Sequence, residues 1–384
     1  MKWRTCRLGD VLKLQRGHDL PEYARQPGDI PVVTSSGITG NHNEAAAKGP
    51  GVVTGRYGTL GEVFFLDQDY WPHNTALYVV DFKGTHPRFA SYFLTNVLRN
   101  YQSDKAAVPG VDRNVLHELT VQVPDTTVQE HIAGVLSTYD DLLENNRRRM
   151  ALLEKAVRLL YQEWFVRLCF PGHEHARINK AIPDGWRRVT LGSITTKIGS
   201  GATPLGGDAT YLTAGIPLIR SQNVYDDRFE DDGLAFISEE QASALDLVTV
   251  QPRDILLNIT GASVARCCMA PDRYLPARVN QHVMIIRIDP AKADPFLIHA
   301  AINSDERKRQ LLSYAQKGST REALTKEMIS AFEVALPTET LMRQFGEIAH
   351  TCFLQRENLA IQNQKLRTAR DLLLPRLMSG EIAV

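Results

Sequence analysis

The sequence predicts an α+β chain in which one module is used twice: two globular α+β heads, each followed by a long helix. Three observations predict this. The opening "KWRTCRLGDVLKLQRGH" (2–18) returns as "GWRRVTLGSITTKIGSG" (185–201), with Trp3 on Trp186, Arg4 on Arg187 and Leu8-Gly9 on Leu191-Gly192. A second, longer repeat places 121–165 on 334–378 without a gap, at an offset of 213 residues set by Pro124 and Pro337 (337 − 124). The stretch after each proline carries heptad periodicity, whereas the stretches before it alternate strand and turn patterns.

The organisation read from these repeats has five parts: a first head at 1–125, a spacer helix at 126–168, a linker at 169–182, a second head at 183–337 and a second spacer helix at 338–384. The linker carries Pro171-Gly172 and ends near Pro183-Asp184-Gly185, which are chain breakers.

In the first head, "GVVTGRYGTLGEVFFL" (51–66) reads as strand, glycine turn and strand, and "HNTALYVVDF" as a strand. "PRFASYFLTNVLRNYQ" reads as a helix opened by proline. The second head repeats that order with "DILLNITGASVARCCM" (254–269), "NQHVMIIRID" and a helix over "PFLIHAAINSDERKRQLLSYA".

The first spacer starts behind cap-type Asp125-Thr126-Thr127. Its positions 132, 136, 139, 143, 146, 150, 153, 157, 160 and 164 form a seam at steps of four and three, holding Tyr139, Leu143, Met150, Leu153, Leu160 and Trp164, with Asn146 as a polar interruption. The second spacer carries Leu359, Leu366 and Leu373 on the matching seam, but Arg356, Asn363 and Arg370 make it narrower. Matched heptads predict that the two helices pair. Unbroken, the first would run ~58 Å at 1.5 Å per residue. The run Arg147-Arg148-Arg149 reads as a solvated or partner-facing surface.

Composition narrows the functional classes. Lys and Arg total 44 and Asp and Glu total 44, so formal net charge is zero. That argues against autonomous tight nucleic-acid binding and leaves room for a basic face or a partner that supplies phosphate contacts. Five cysteines without CxxC spacing suit free thiols in a cytoplasmic protein. No apolar run is long enough to span a bilayer and no signal-peptide stretch is seen.

Catalytic signatures are missing. There is no GxxxxGK[ST], no HExxH, and no Asn/Asp-Pro-Pro-aromatic tetrapeptide. "GRYGTLG" and "GSGATPLGG" lack dinucleotide spacing and read as turns. "HEH" at 173–175 lies in a breaker-rich linker and reads as surface rather than metal ligand.

What remains is an inventory of polar side chains suited to base edges and phosphates, following strands at corresponding places. In the first head these are Thr34, Ser35, Ser36, Arg56, Tyr57, Asn74 and Arg113; in the second, Arg220, Ser221, Gln222, Asn223, Asn280, Gln281, Lys317, Ser319, Thr320 and Arg321.

Three stretches then carry a resemblance that spans the chain. "LLYQEWFVRLCFPG" (159–172), "IPDGWRRVTLGSI" (182–194) and "LLLPRLMSGEI" (372–382) are similar to recurrent signatures of the DNA-specificity subunits of type I restriction–modification systems. The resemblance implies two target-recognition domains, each reading half of a split site in double-stranded DNA, on two helices that pair antiparallel. It implies two methyltransferase subunits as partners, with motor-nuclease subunits joining for restriction. It also implies that the chain is not an enzyme. S-adenosylmethionine, Mg and ATP are expected on partner subunits and none on this chain. The rival readings are a specificity subunit of a related defence system, a coiled-coil scaffold that binds no DNA, and a self-contained nuclease or methyltransferase.

Overall fold

The computed structural model describes residues 3–56, 61–99, 101, 112–179, 182–317 and 323–384 of the chain. They divide into two compact units, Met1–Asn145 with Asn363–Val384, and Asn146–Gln362. Each unit holds one globular part and a portion of each long helix.

Unit 1 begins with β1 (Trp3–Arg7), β2 (Lys13–Arg16), β3 (Ile30–Thr34), β4 (Gly37–His42), β5 (Gly51–Gly55), β6 (Val63–Leu66), β7 (Trp71–Pro72) and β8 (Ala76–Asp81). Helices α1 (Pro87–Arg99) and α2 (Arg113–Glu118), strand β9 (Thr120–Pro124) and the start of α3 (Thr126–Tyr161) follow. The two larger sheets among the described residues are β2-β8-β5-β6 and β4-β3-β7, with β3 and β7 parallel. β1 pairs antiparallel with β9, Trp3 opposite Pro124, which ties the start of the chain to the residues just before α3. α1 turns Phe89, Ala90, Phe93 and Leu94 into a core shared with Ile132 and Leu136 of α3. Burying one such large apolar side chain is worth about 1.5–3 kcal/mol.

Unit 2 repeats the plan. A short hairpin, β10 (Ile178–Asn179) and β11 (Ile182–Pro183), leads to β12 (Arg187–Thr190), β13 (Thr195–Ser200), β14 (Ile216–Ile219), β15 (Ala235–Ile237) and α4 (Glu239–Ala244). Then come β16 (Thr249–Val250), β17 (Ile255–Asn258), β18 (Cys267–Met269), β19 (Ala277–Val279) and β20 (Val283–Ile288). Helices α5 (Pro295–Asn303), α6 (Asp305–Lys317) and α7 (Lys326–Ser330), strand β21 (Glu333–Leu336) and α8 (Glu339–Met378) complete the chain. The sheets β13-β20-β17-β18 and β15-β14-β19-β16 match those of unit 1 strand for strand, with β16 added, and β14 is parallel to β19 as β3 is to β7. β12 pairs with β21 as β1 pairs with β9.

One expectation is corrected. The single helix expected from Pro295 onward is two, because Ser304 is extended at φ −65°, ψ 145°. Its hydroxyl donates to the Ala301 carbonyl at 2.7 Å, and its own carbonyl accepts the amide of Lys308. A serine that bonds the local backbone ends one helix and starts the next.

Two of the three polar seam positions of α8, Arg356 and Arg370, are matched by acids on α3. In unit 1, Arg370 donates to Asp140 of α3 at 2.6 Å, while Leu374 and Leu377 share the core with Leu136 and Ile132. In unit 2, Arg356 meets Glu154 at 2.9 Å, and Phe345 packs against Tyr161. Within each unit, then, the α8 portion runs antiparallel to the α3 portion. Leu143, Asn146 and Leu359 are buried, and Tyr139, Met150, Leu153, Leu160, Trp164, Leu366 and Leu373 are half-buried. Asn146 and Asn363 are both nearly inaccessible despite their polarity. The α-helix of the first spacer ends at Tyr161 and gives way to a π-turn over Gln162–Val166, whose Phe165 packs edge-on to Phe345 and tilted against Trp186. No helix is long and apolar enough to cross a membrane among the described residues.

Candidate nucleic-acid interface

In unit 1 the ends of four strands and one turn meet. They are the ends of β2, β3, β5 and β7, with the turn His73-Asn74-Thr75 that leads into β8. Backbone bonds lock them: His73 N–H to the Val33 carbonyl at 2.8 Å, Arg56 N–H to Thr75 at 3.0 Å, and Gly17 N–H to Ala76 at 3.1 Å. Gly17 is needed for this close approach, since a Cβ there would lie 2.2 Å from the His73 carbonyl oxygen.

Polar side chains crowd this end. The Asn74 carbonyl accepts from Arg16 Nε and Arg56 Nη1, both at 3.3 Å. Asn74 Nδ2 donates to the Asp19 carboxylate. Thr75 Oγ1 accepts the Ser35 amide at 3.4 Å and lies 3.1 Å from His73 Nδ1. Thr34 donates to the Gly37 carbonyl at 3.2 Å. Burial, with the Arg25 charge, holds His73 below the usual histidine range against the pull of Asp19, which favours a neutral ring. The surface thus offers guanidinium donors beside carboxylate and carboxamide acceptors.

Unit 2 builds the same end with other side chains. The wiring is repeated: Asn280 N–H to Ile219 at 3.0 Å, Ile259 N–H to His282 at 3.0 Å, and Gly201 N–H to Val283 at 3.2 Å. Gly201 answers Gly17, and a Cβ on it would lie 1.7 Å from the Val279 carbonyl oxygen. By this wiring Asn280, Gln281 and His282 occupy the places of His73, Asn74 and Thr75. Thr203 Oγ1 bonds Gln281 Oε1. Gln281 Nε2 lies 3.1 Å from His282 Nε2, and His282 Nδ1 lies 2.6 Å from Thr260 Oγ1. Arg220 lies over the Tyr211 ring at 5.1 Å and donates to the Gly233 carbonyl at 2.6 Å, which also accepts from Gln222 at 3.1 Å.

The structure therefore brings Thr34, Ser35, Arg56 and Asn74 together in unit 1, with Ser36 exposed on the adjoining hairpin. It brings Arg220, Ser221, Gln222 and Gln281 to the corresponding end of unit 2. Arg113 stands apart on α2, where His117 one turn on accepts the Leu14 amide near the start of β2. Asn223 is corrected: it is fully buried, and its amide donates to the Glu230 and Asp232 carbonyls at 3.0 and 3.2 Å, so it shapes a loop and offers no free edge. Asn280 is 6% exposed and accepts the His282 amide at 3.1 Å, so it too builds the turn. Tyr57, Ser319, Thr320, Arg321 and the Lys317 side chain lie outside the described residues.

The sequence reading missed Arg16, Asp19, His73, Thr203, Tyr211 and His282. No sequence signal paired Asp19 with Thr203, because the opening repeat sets Gly17 on Ser200 and only the strand wiring brings Gly17 and Gly201 into the same place.

Residues 1–155 match the family described as the type I restriction modification DNA specificity domain. The chain is 26% identical to the type I restriction enzyme MjaIX specificity subunit of Methanocaldococcus jannaschii over 76% of its own length and 68% of that protein. It is 20% identical to the HindI specificity subunit of Haemophilus influenzae over 99% of both chains. Among solved structures it shares the fold of the type I restriction–modification S subunit from M. genitalium, with TM-score 0.62 and 16% identity, covering 98% of this chain and 96% of that one.

Proposed function

We infer, from the match of residues 1–155 to the type I restriction modification DNA specificity domain, that the chain is the sequence-reading subunit of such a complex and directs adenine N6 methylation by its partners. The observation that carries this is the twinned polar end. Two units share one backbone wiring at the meeting of the strand ends, yet present different side chains there.

A common frame with different donors and acceptors is what two half-sites of different sequence require. One chain with two such units reads an asymmetric site, whereas a symmetric dimer of one unit is held to a palindrome. Each unit, taken as a target-recognition domain over 1–125 or 183–337, enters the major groove with these loops. The helices at 126–168 and 338–384 set the gap between half-sites and dock two methyltransferase subunits. The chain itself catalyses nothing; S-adenosylmethionine, and the ATP and Mg of any motor-nuclease subunits, belong to partners in the cytoplasm.

The test is a methylome. The chain is co-expressed with its methyltransferase subunit in a host lacking adenine methylation, and modified adenines are mapped. The expected result is a split motif that disappears without this chain. Replacing 1–125 with another family head changes one half-site only. An undivided motif, or both halves changing after the swap, overturns the reading.

A further inference from the structure

The matched wiring makes the loop after β2 in unit 1 the counterpart of the loop after β13 in unit 2. The first leaves its strand at Gly17 and the second at Gly201. Each loop is tied to the strand-end surface near its start, where Asp19 bonds Asn74 and Thr203 bonds Gln281. Each is tied again further on. Arg25 donates to the Thr39 carbonyl of β4 at 3.0 Å. In unit 2 the Tyr211 ring lies under Arg220, and the Leu212 amide donates to the Phe236 carbonyl at 2.9 Å.

Between its two ties each loop makes a tight turn opened by a proline. The Ala24 amide donates to the Pro21 carbonyl at 2.9 Å, and the Gly207 amide to the Pro204 carbonyl at 3.1 Å. Proline fixes its own φ, and Gly206 at φ +93° supplies the left-handed residue that the second turn requires. Each turn holds one large apolar side chain out from the surface, Tyr23 in unit 1 and Leu205 in unit 2. At 92% and 95% they are the two most exposed large apolar side chains among the described residues.

A scattered exposed apolar side chain needs no explanation. Two of them on proline-opened turns of the same loop, in both copies of a duplicated unit, do. Neither contributes to the core of its own unit, so what they touch lies outside it. Tyr23 is four residues from Asp19 and Leu205 is two from Thr203, which keeps each tip within about 14 Å of the residue tied to the carboxamide. At ~3.4 Å per base pair that is a span of about four pairs. Every base pair offers donors and acceptors in the major groove, but only thymine offers a methyl group. A side chain that neither donates nor accepts at its apolar face can distinguish bases there by that methyl.

We propose that Tyr23 and Leu205 are equivalent specificity-determining residues, each packing on the C5 methyl of one thymine in the half-site of its unit. This rests on the specificity-subunit reading above.

The test measures, by fluorescence anisotropy, binding of the full chain in complex with its methyltransferase partner to duplexes carrying the methylome motif. Each thymine is replaced in turn by deoxyuridine, which keeps every hydrogen bond and removes only the methyl. Wild type is expected to bind about fourfold more weakly at one position of each half-site, the worth of one buried methyl group. In Y23A the thymine and deoxyuridine duplexes bind alike at the position in the half-site assigned to unit 1 by the head swap, while the other half-site keeps its difference. L205A gives the reverse. A half-site with no methyl-sensitive position overturns the proposal for its unit. So does a variant that weakens both duplexes by one common factor, the mark of a side chain that wedges between base steps or lies on the sugar–phosphate backbone. Loss of the methyltransferase from a variant whose urea midpoint is unchanged also overturns it, because the tip then faces protein. Absence of any split motif with the wild-type chain is a different result: it removes the specificity-subunit reading, and the proposal with it.

Discussion

Arg273 is the sharpest place to test how unit 2 is held together. Its guanidinium is 10% exposed and donates to Asp231 and to Glu357 of α8, each at 2.5 Å. It also lies over the Phe229 and Tyr274 rings. Glu357 is 14% exposed and its Oε2 is already buried without a partner among the described residues, whereas Asp231 is one-third exposed and can be rehydrated. Replacing Arg273 with methionine therefore strands one buried carboxylate rather than two. Removing one partner of a buried pair costs about 3–5 kcal/mol, mostly as the penalty on the charge left behind. For a unit of this size that lowers its transition by roughly 10 °C. E357Q alone leaves Arg273 with Asp231 and costs about 1–2 kcal/mol. The double variant R273M/E357L removes both charges and is expected within about 2 kcal/mol of wild type, so the cycle shows coupling. Urea unfolding of the four chains, followed by the fluorescence of Trp164 and Trp186 in unit 2, measures each term. If R273M costs under about 1 kcal/mol, or the double variant costs the sum of the singles, the stranded-charge argument is wrong.

Other outcomes follow from the same structure. Gly201→Ala forces the backbone away from the Val279 carbonyl; it is expected to cost about 1–3 kcal/mol in unfolding experiments and to erase one half-site from the methylome. Phe345→Ala empties a fully buried site among Tyr161, Trp164 and Phe165 and is expected to cost about 3–5 kcal/mol by the same measurement. Burial holds His299 below the ordinary 6.5 despite the pull of Asp227. Its contribution is complete above pH 6.5 and is lost as pH falls below that value toward the folded pKa, since protonation favours the unfolded chain. The urea midpoint of unit 2 should therefore drop between pH 7.5 and 5.5, and H299Q should flatten that slope. Asp227 is itself held below its ordinary 3.8, so its loss of stability begins only in a more acidic window.

The repeats, the heptads and the strand–turn–strand patterns were legible because each is local: period and turn chemistry are carried by neighbouring residues. The opening repeat marks β1 and β2 in one unit and β12 and β13 in the other. The gapless repeat marks β9 with α3, and β21 with α8. Asn74 and Gln281 could be singled out as carboxamides placed just before a buried strand.

Only the tertiary structure decided which polar residues are available and what they face. Asn223 has the same composition signal as Gln222 one residue before it, yet one is sealed under carbonyls and the other is exposed. Arg356 and Arg370 looked like defects in a seam until Glu154 and Asp140 stood opposite them, across more than two hundred residues of chain. Asp19 acquires meaning only when Gly17 lets its strand cross the turn at Asn74. Sequence by itself determined the periodicity, the duplication and the element order, because those follow from backbone geometry and burial along one segment. The polar groups left available at each strand-end surface waited for the fold, because a hydrogen-bond partner is selected by distance in space and not by spacing in the chain.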